Sequence, residues 1–364
     1  MKKIYLFSAA MAVLLFFTAC KKHCDLPEDC VPSIIKTPED DLTEPRYGLV
    51  ATSSGNKIAF AGGVVDINTN FSDAVEIYDI VSGTWTNASL SLGRYSFAAA
   101  SAGNKMVFAG GYPGGADFVT DVVDIYDVAS NSWTTASLSE DRNGLAGAGA
   151  GNKIVFGGGF GNNQYTSTVD IYNVDLNSWT TANLSVARTG LAAASAGNKI
   201  VFGGGRTTGA AKSAVVDIYD VITGTWTTAL LSQARDYLAA ASAGNKILFA
   251  GGNASGGASN QVDIYDVATN SWSTASLSTS RSELSAATAG NKIFIGGGSA
   301  SNVVDVFDVV TNGWSTETLS EAKSSLAAAG AGNNVLFGGG NGAAGPLNSV
   351  DMFRLECNGK RAAR

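Results

Sequence analysis

VDIYDVASNSW, Val123 to Trp133, is the stretch on which the fold turns. Its first half alternates apolar and polar residues at the period of a half-buried strand. A turn rich in Ser and Asn follows, and Trp133 opens a second run, SWTTASL. Taken singly it is a hairpin. Close copies stand at Val75 (VEIYD), Val169 (VDIYN), Val216 and Val262 (VDIYD), Val304 (VDVFD) and Val350 (VDMFR), seven in all. Self-similarity at a fixed period of this length marks a repeat architecture.

The other landmarks keep the same count. GNK falls at Gly55, Gly103, Gly151, Gly197, Gly244 and Gly290, with GNN at Gly332, and a glycine doublet follows each, from Gly62-Gly63 to Gly339-Gly340. Trp85, Trp133, Trp179, Trp226, Trp272 and Trp314 close six units, mostly 46 to 48 residues apart. Arg46, Arg94, Arg142, Arg188, Arg235 and Arg281 open six, and Lys323 opens the seventh. Within the second unit, SFAAASA, KMVFAGG, VVDIYDV and SWTTASL read as four short strands. The first is nearly all Ala and Ser, too small for an ordinary core face but suited to a crowded central axis. Seven four-stranded units predict an all-β, seven-bladed β-propeller of antiparallel blades rather than an open solenoid, which would need polar caps at both ends.

The ends argue for closure of the ring. The seventh unit stops after its third strand, at VDMFRLE, and lacks a Trp-bearing fourth. SIIKTPEDDLTEP, Ser33 to Pro45, aligns with NSWTTASLSED before Arg142, keeping Leu42 in register with Leu138 and placing Thr37 where Trp133 stands. This N-terminal segment, residues 33–45, is therefore expected to be the outer strand of blade seven in a propeller spanning 33–356, with 357–364 as a tail. A Cys30–Cys357 disulfide would staple that seam, and a Cys24–Cys30 loop is the rival pairing.

Composition narrows the function. Gly is frequent at 44 residues, Pro scarce at 6, and a net charge of -7 opposes nucleic acid or an anionic surface as an electrostatic partner. The opening MKKIYLFSAAMAVLLFFTAC has two lysines, an apolar run too short for a comfortable membrane span, and small residues before a cysteine. Phe17-Thr18-Ala19-Cys20 resembles the lipobox of bacterial lipoproteins. That resemblance implies a signal peptide over 1–20, lipidation at Cys20, a tether over 21–32, and a monomer anchored in the bacterial cell envelope, facing the periplasm or the exterior.

With a glycine doublet, a Tyr-Asp pair and a Trp seven residues after the Tyr, the unit resembles the Kelch repeat. In the second unit these are Gly110-Gly111, Tyr126-Asp127 and Trp133, and the seventh copy departs from the pattern with Phe353-Arg354 and no Trp. Kelch propellers are mostly binding scaffolds, so the resemblance implies a partner that is a protein, peptide or glycan. Galactose oxidase, a copper-dependent Kelch enzyme type, needs imidazole ligands, and the one histidine, His23, lies in the tether. No cofactor or metal is expected. The alternative is a sugar-acting envelope enzyme similar to the bacterial N-acetylneuraminate epimerases, but none of their catalytic motifs can be matched to these positions.

What every blade shares serves the fold; a ligand site should lie where the repeats disagree. Strand parity puts the loops from fourth to first strand and from second to third strand on one face. There the residues after the Arg vary, as Tyr47, Tyr95, Asn143 and, one further on, Tyr237, while long loops carry Tyr112, Phe118, Phe160 and Tyr165. These are the binding candidates, raised at blades two and three and low at blade six. The six arginines are candidates too, as an anion-binding ring, against a packing role in which their guanidinium forks tie the blades together. Asp236 and Glu283, in neighbouring units, are candidates for an acid–base pair across the channel mouth.

Overall fold

A computed structural model describes residues 32–66, 71–114 and 119–357. They form a seven-bladed β-propeller, each blade a four-stranded antiparallel sheet. The second blade, for example, orders Ala98–Ala102, Lys105–Ala109, Val122–Asp127 and Ser132–Ser137 from the axis outward. Among the described residues the helical structure is one 3-10 turn, Thr208–Ala210.

The inner strands are small because the axis leaves no room for more. They line a central channel with a cavity of about 340 Å³. Hydroxyls bridge neighbouring inner strands there: Ser101 Oγ donates to Ser53 O at 2.5 Å, Ser242 Oγ to Ser195 O at 2.5 Å and Thr288 Oγ1 to Ser242 O at 2.7 Å. Between blades lies the apolar core, and each cluster joins one face of a blade to the opposite face of the next. Val107, Val123, Ile125 and Leu138 of blade two thus pack on Ile154, Phe156 and Tyr172 of blade three. Trp133 packs on Tyr126, its cross-strand partner, with ring centroids 5.0 Å apart and planes tilted by 33°, and the other blades with a Trp repeat the contact at 4.8–5.0 Å, on Phe307 in blade six.

The ring closes as the sequence implies. Pro32–Pro38 pairs antiparallel with Val350–Cys357 as the outer strand of blade seven. Leu42 is buried in the cluster joining blades seven and one, and its N–H donates to Asn348 O as Leu138 N–H does to Asp121 O. The expected register needs one correction. Lys36, not Thr37, faces Phe353, so Lys36 occupies the Trp position, and an extra residue before Leu42 absorbs the shift. Lys36 Nζ lies 5.9 Å from the Phe353 ring centroid and 2.7 Å from Asp351 Oδ1, a cation and an ion pair in place of stacked rings. Cys20, Cys24 and Cys30 lie outside the described residues, as does the side chain of Cys357.

Candidate functional site

Both loop sets lie on one face, and backbone pairing ties them together. The residue after each opening Arg forms an antiparallel bridge with the residue after the glycine doublet: Tyr47 with Val64, Tyr95 with Tyr112, Asn143 with Phe160, Thr189 with Arg206, Asp236 with Asn253 and Ser324 with Asn341. In blade six Ser299 N–H donates to Ser282 O instead. Short hairpins continue from these bridges at blades three, five and seven, while blade six passes straight into its third strand, so the rim is low there.

One position further on, a ring encircles the channel mouth. Gly48, Ser96, Gly144, Gly190, Tyr237, Glu283 and Ser325 all adopt left-handed backbone, with φ from 51° to 64°. Six of the seven, all but Ser96, donate their N–H to the equivalent carbonyl of the preceding blade, as Gly190 to Gly144 at 3.0 Å, Tyr237 to Gly190 at 3.0 Å and Glu283 to Tyr237 at 3.2 Å. Glycine adopts this conformation without cost, whereas a tyrosine or glutamate held there is strained. The two bulky members are neighbours. They overhang a cavity of about 250 Å³, floored by Leu191, Leu238, Leu284, Leu326 and Leu49 and completed by Gly48, Gly190 and Ser325.

Neighbouring blades hold both side chains in place. Ser325 Oγ donates to Glu283 Oε2 at 2.8 Å, leaving the carboxylate exposed at the rim. Arg206 lies over the Tyr237 ring at 5.0 Å and donates to its hydroxyl at 2.6 Å. Tyr237 remains 39% exposed. Burial raises its phenol pKa despite the opposing pull of Arg206, and Asp236, Glu283 and Tyr165 add to the rise. Burial raises the Tyr95 phenol as well, with Tyr112, Tyr47 and Tyr237 contributing.

Tyr95 belongs to an aromatic cluster on the opposite side of the mouth. It stacks on Phe71 at 5.1 Å and meets Tyr112 edge-on at 5.3 Å. Phe160 and Tyr165 pair across the blade-three hairpin at 5.4 Å. Of the sequence candidates, then, Tyr47, Tyr95, Tyr112, Asn143, Phe160, Tyr165, Tyr237 and Glu283 share the loop face; Phe118 lies outside the described residues.

The arginines do not form an anion site. Arg46, Arg94, Arg142, Arg188, Arg235 and Arg281 are fully or almost fully buried beneath the mouth. Each pairs with the first acidic residue of its blade's third strand, as Arg94 with Asp124 at 2.7 Å, Arg142 with Asp170 at 2.7 Å and Arg235 with Asp263 at 2.6 Å. The second oxygen of that carboxylate accepts an N–H from the end of the preceding blade's outer strand, such as Ser91 to Asp124 at 3.0 Å. Arg46 pairs with Glu76, which also takes the Thr43 N–H from the N-terminal segment, so the seam is locked like the other junctions. Burial lowers the Arg94 and Arg235 pKa values despite the paired carboxylates, the electrostatic signature of desolvated ion pairs.

Asp236 and Glu283 do not make an acid–base pair either. Asp236 is fully buried, with Lys212 Nζ at 2.6 Å from one carboxylate oxygen and Arg206 Nε at 3.9 Å from the other, so a substrate in the mouth cannot reach it. Sequence reasoning passed over Arg206, Lys212, Phe71 and Ser325. The basic pair in RTTGAAK, unique to the loop of blade four, was the available signal for the first two.

Residues 146–340, from the inner strand of blade three to the glycine doublet of blade seven, match the model of the KLHDC2/KLHL20/DRC7 Kelch-repeats domain. The chain belongs to the Kelch-repeat family. No curated protein matches it significantly. Kelch propellers typically serve as protein-interaction scaffolds, and the uneven, aromatic loop face fits that role. In this Kelch chain the sevenfold residues lock the blades, while the residues that break the symmetry gather at one mouth.

Proposed function

We propose that this Kelch propeller is an exported, lipid-anchored interaction scaffold that takes a peptide segment of a partner protein at the channel mouth, over Tyr237 and Glu283. The observation that carries the reading is the left-handed backbone of these two residues above the 250 Å³ cavity. The conformation favours glycine, and the other five positions hold Gly or Ser, so two large side chains kept there at a cost in strain point to a ligand. The leucine floor offers an apolar seat, the tyrosines offer amphipathic faces, and Glu283 offers one charge for orientation. Export and anchoring rest on the leader and on Cys20. The sugar-acting alternative loses its named acid–base pair, because Asp236 is buried against Lys212.

The test is a peptide array and a glycan array probed with the chain and with Tyr237→Ala and Glu283→Gln. The reading expects peptides to be enriched and both substitutions to weaken them by about tenfold, the effect of losing one well-packed contact. Binding of glycans alone, or of peptides that ignore both substitutions, would defeat it.

A further inference from the structure

The face opposite the mouth is built from the turns between first and second strands and between third and fourth strands. The third-to-fourth turns end in apolar residues that nothing covers: Val81, Leu176, Ile222 and Val310 are 72–79% exposed, at blades one, three, four and six. Just behind each turn, as the first or second residue of the outer strand, stands the unit's Trp, half-buried on its Tyr or Phe. The result is a rim of apolar tips backed by indoles, a composition suited to the boundary between water and lipid.

Two further observations say what this face meets. The chain enters the propeller here: Pro32 lies opposite Cys357, three residues beyond Arg354, which stands at the turn position of Asp127 in blade two. A lipid on Cys20 would thus tether the propeller from this face and not from the mouth. The tether can span at most about 40 Å, enough to let an otherwise free propeller tumble. Moreover, five blades pair the turn carboxylate of this face with a lysine, despite the chain's net charge of -7. Lys105 pairs with Asp127 at 2.5 Å, Lys199 with Asp220 at 2.7 Å, Lys57 with Asp79 at 3.3 Å and Lys246 with Asp266 at 3.4 Å, and Lys292 pairs with Asp308. Anionic headgroups therefore meet compensated charge around the tips of blades one, four and six.

We propose that the turn face docks on the bilayer surface through Val81, Leu176, Ile222 and Val310, holding the mouth away from the membrane and open to its partner. The proposal rests on the lipid-anchor reading, and the experiment separates the two. The chain from Cys20 onward, with Cys24, Cys30 and Cys357 changed to Ser, is coupled through Cys20 to a maleimide-headgroup lipid in phosphatidylethanolamine–phosphatidylglycerol vesicles. Lipids brominated near the headgroup then report, by tryptophan quenching, how close the Trp rim comes. Docking predicts quenching that is lost in Val81→Ser/Leu176→Ser/Ile222→Ser/Val310→Ser at equal coupling and unchanged thermal stability. Equal quenching of both chains, or none of either, overturns docking. In parallel, cells expressing the full chain are fed labelled palmitate. Label on the chain that disappears in Cys20→Ser supports the anchor, and its absence overturns the anchor and the proposal with it.

Discussion

Arg142 and Glu283 show the two uses of a residue in this molecule. Arg142 repeats around the ring, is buried, and ties its blade to the outer strand of the blade before through Asp170. Arg142→Ala strands a buried carboxylate and should cost about 3–5 kcal/mol in urea unfolding; Arg142→Met with Asp170→Leu should recover much of that loss. Glu283 sits where the backbone asks for glycine, so Glu283→Gly should stabilise the chain by about 1 kcal/mol, and Gly190→Ala should destabilise it by about as much. Space does not confound the second case, because a Cβ on Gly190 would meet its nearest neighbour, Tyr237 Cε1, at 3.6 Å. The arginine ring was legible in the sequence, but its direction was not, since equal spacing serves a solvent-facing ring and a buried one alike. Only the carboxylate some 30 residues on, brought alongside by the blade, decides between them. The left-handed ring could have been read from Gly48, Gly144 and Gly190, had the position after the variable residue been compared across all units.

Among the elements, Pro32–Pro38 carries the most weight for its length. It covers the edge of Val350–Cys357 and turns seven repeats into a closed ring. A chain starting at residue 32 should unfold in one cooperative transition like the full chain. One starting at residue 40 should leave that edge unpaired, lose cooperativity and aggregate, as thermal unfolding with size-exclusion chromatography would report. The strand was legible because unit seven lacks its ending. Its register was not, because a Trp normally fixes the frame and here Lys36 replaces it. With Leu42 as the sole landmark, an extra residue between the two passed unseen. The loops were legible as variable in length, while the hairpins at blades five and seven follow from backbone pairing that small residues such as Asn253 and Gly257 do not advertise.

For the whole molecule, repetition supplies stability and its breaks supply function. The turn carboxylates of Asp127 and Asp220 are held well below their ordinary pKa, first by hydrogen bonds from Lys105 and Lys199 and then by N–H groups of the turns. Since they titrate lower in the folded chain than in the unfolded one, their contribution is complete above about pH 5 and drains away as pH falls below about 4. The melting temperature should accordingly hold from pH 7 to 5 and drop toward pH 3. Asp351 behaves alike: burial pushes it up, but Lys323, Lys36 and the Ser320 N–H together bring it below its usual value. All of this serves the scaffold, with variations from blade to blade; Tyr237 and Glu283 do not. The central claim is that these two residues trade stability for binding. The most direct measurement is the affinity of a display-selected peptide for the chain and for Tyr237→Gly/Glu283→Gly, each checked for folding by urea titration. The account predicts that the double variant binds at least about tenfold more weakly, since losses at neighbouring residues need not multiply, while unfolding at equal or higher urea. Equal affinity, or weaker binding matched by a collapse in stability, would contradict it.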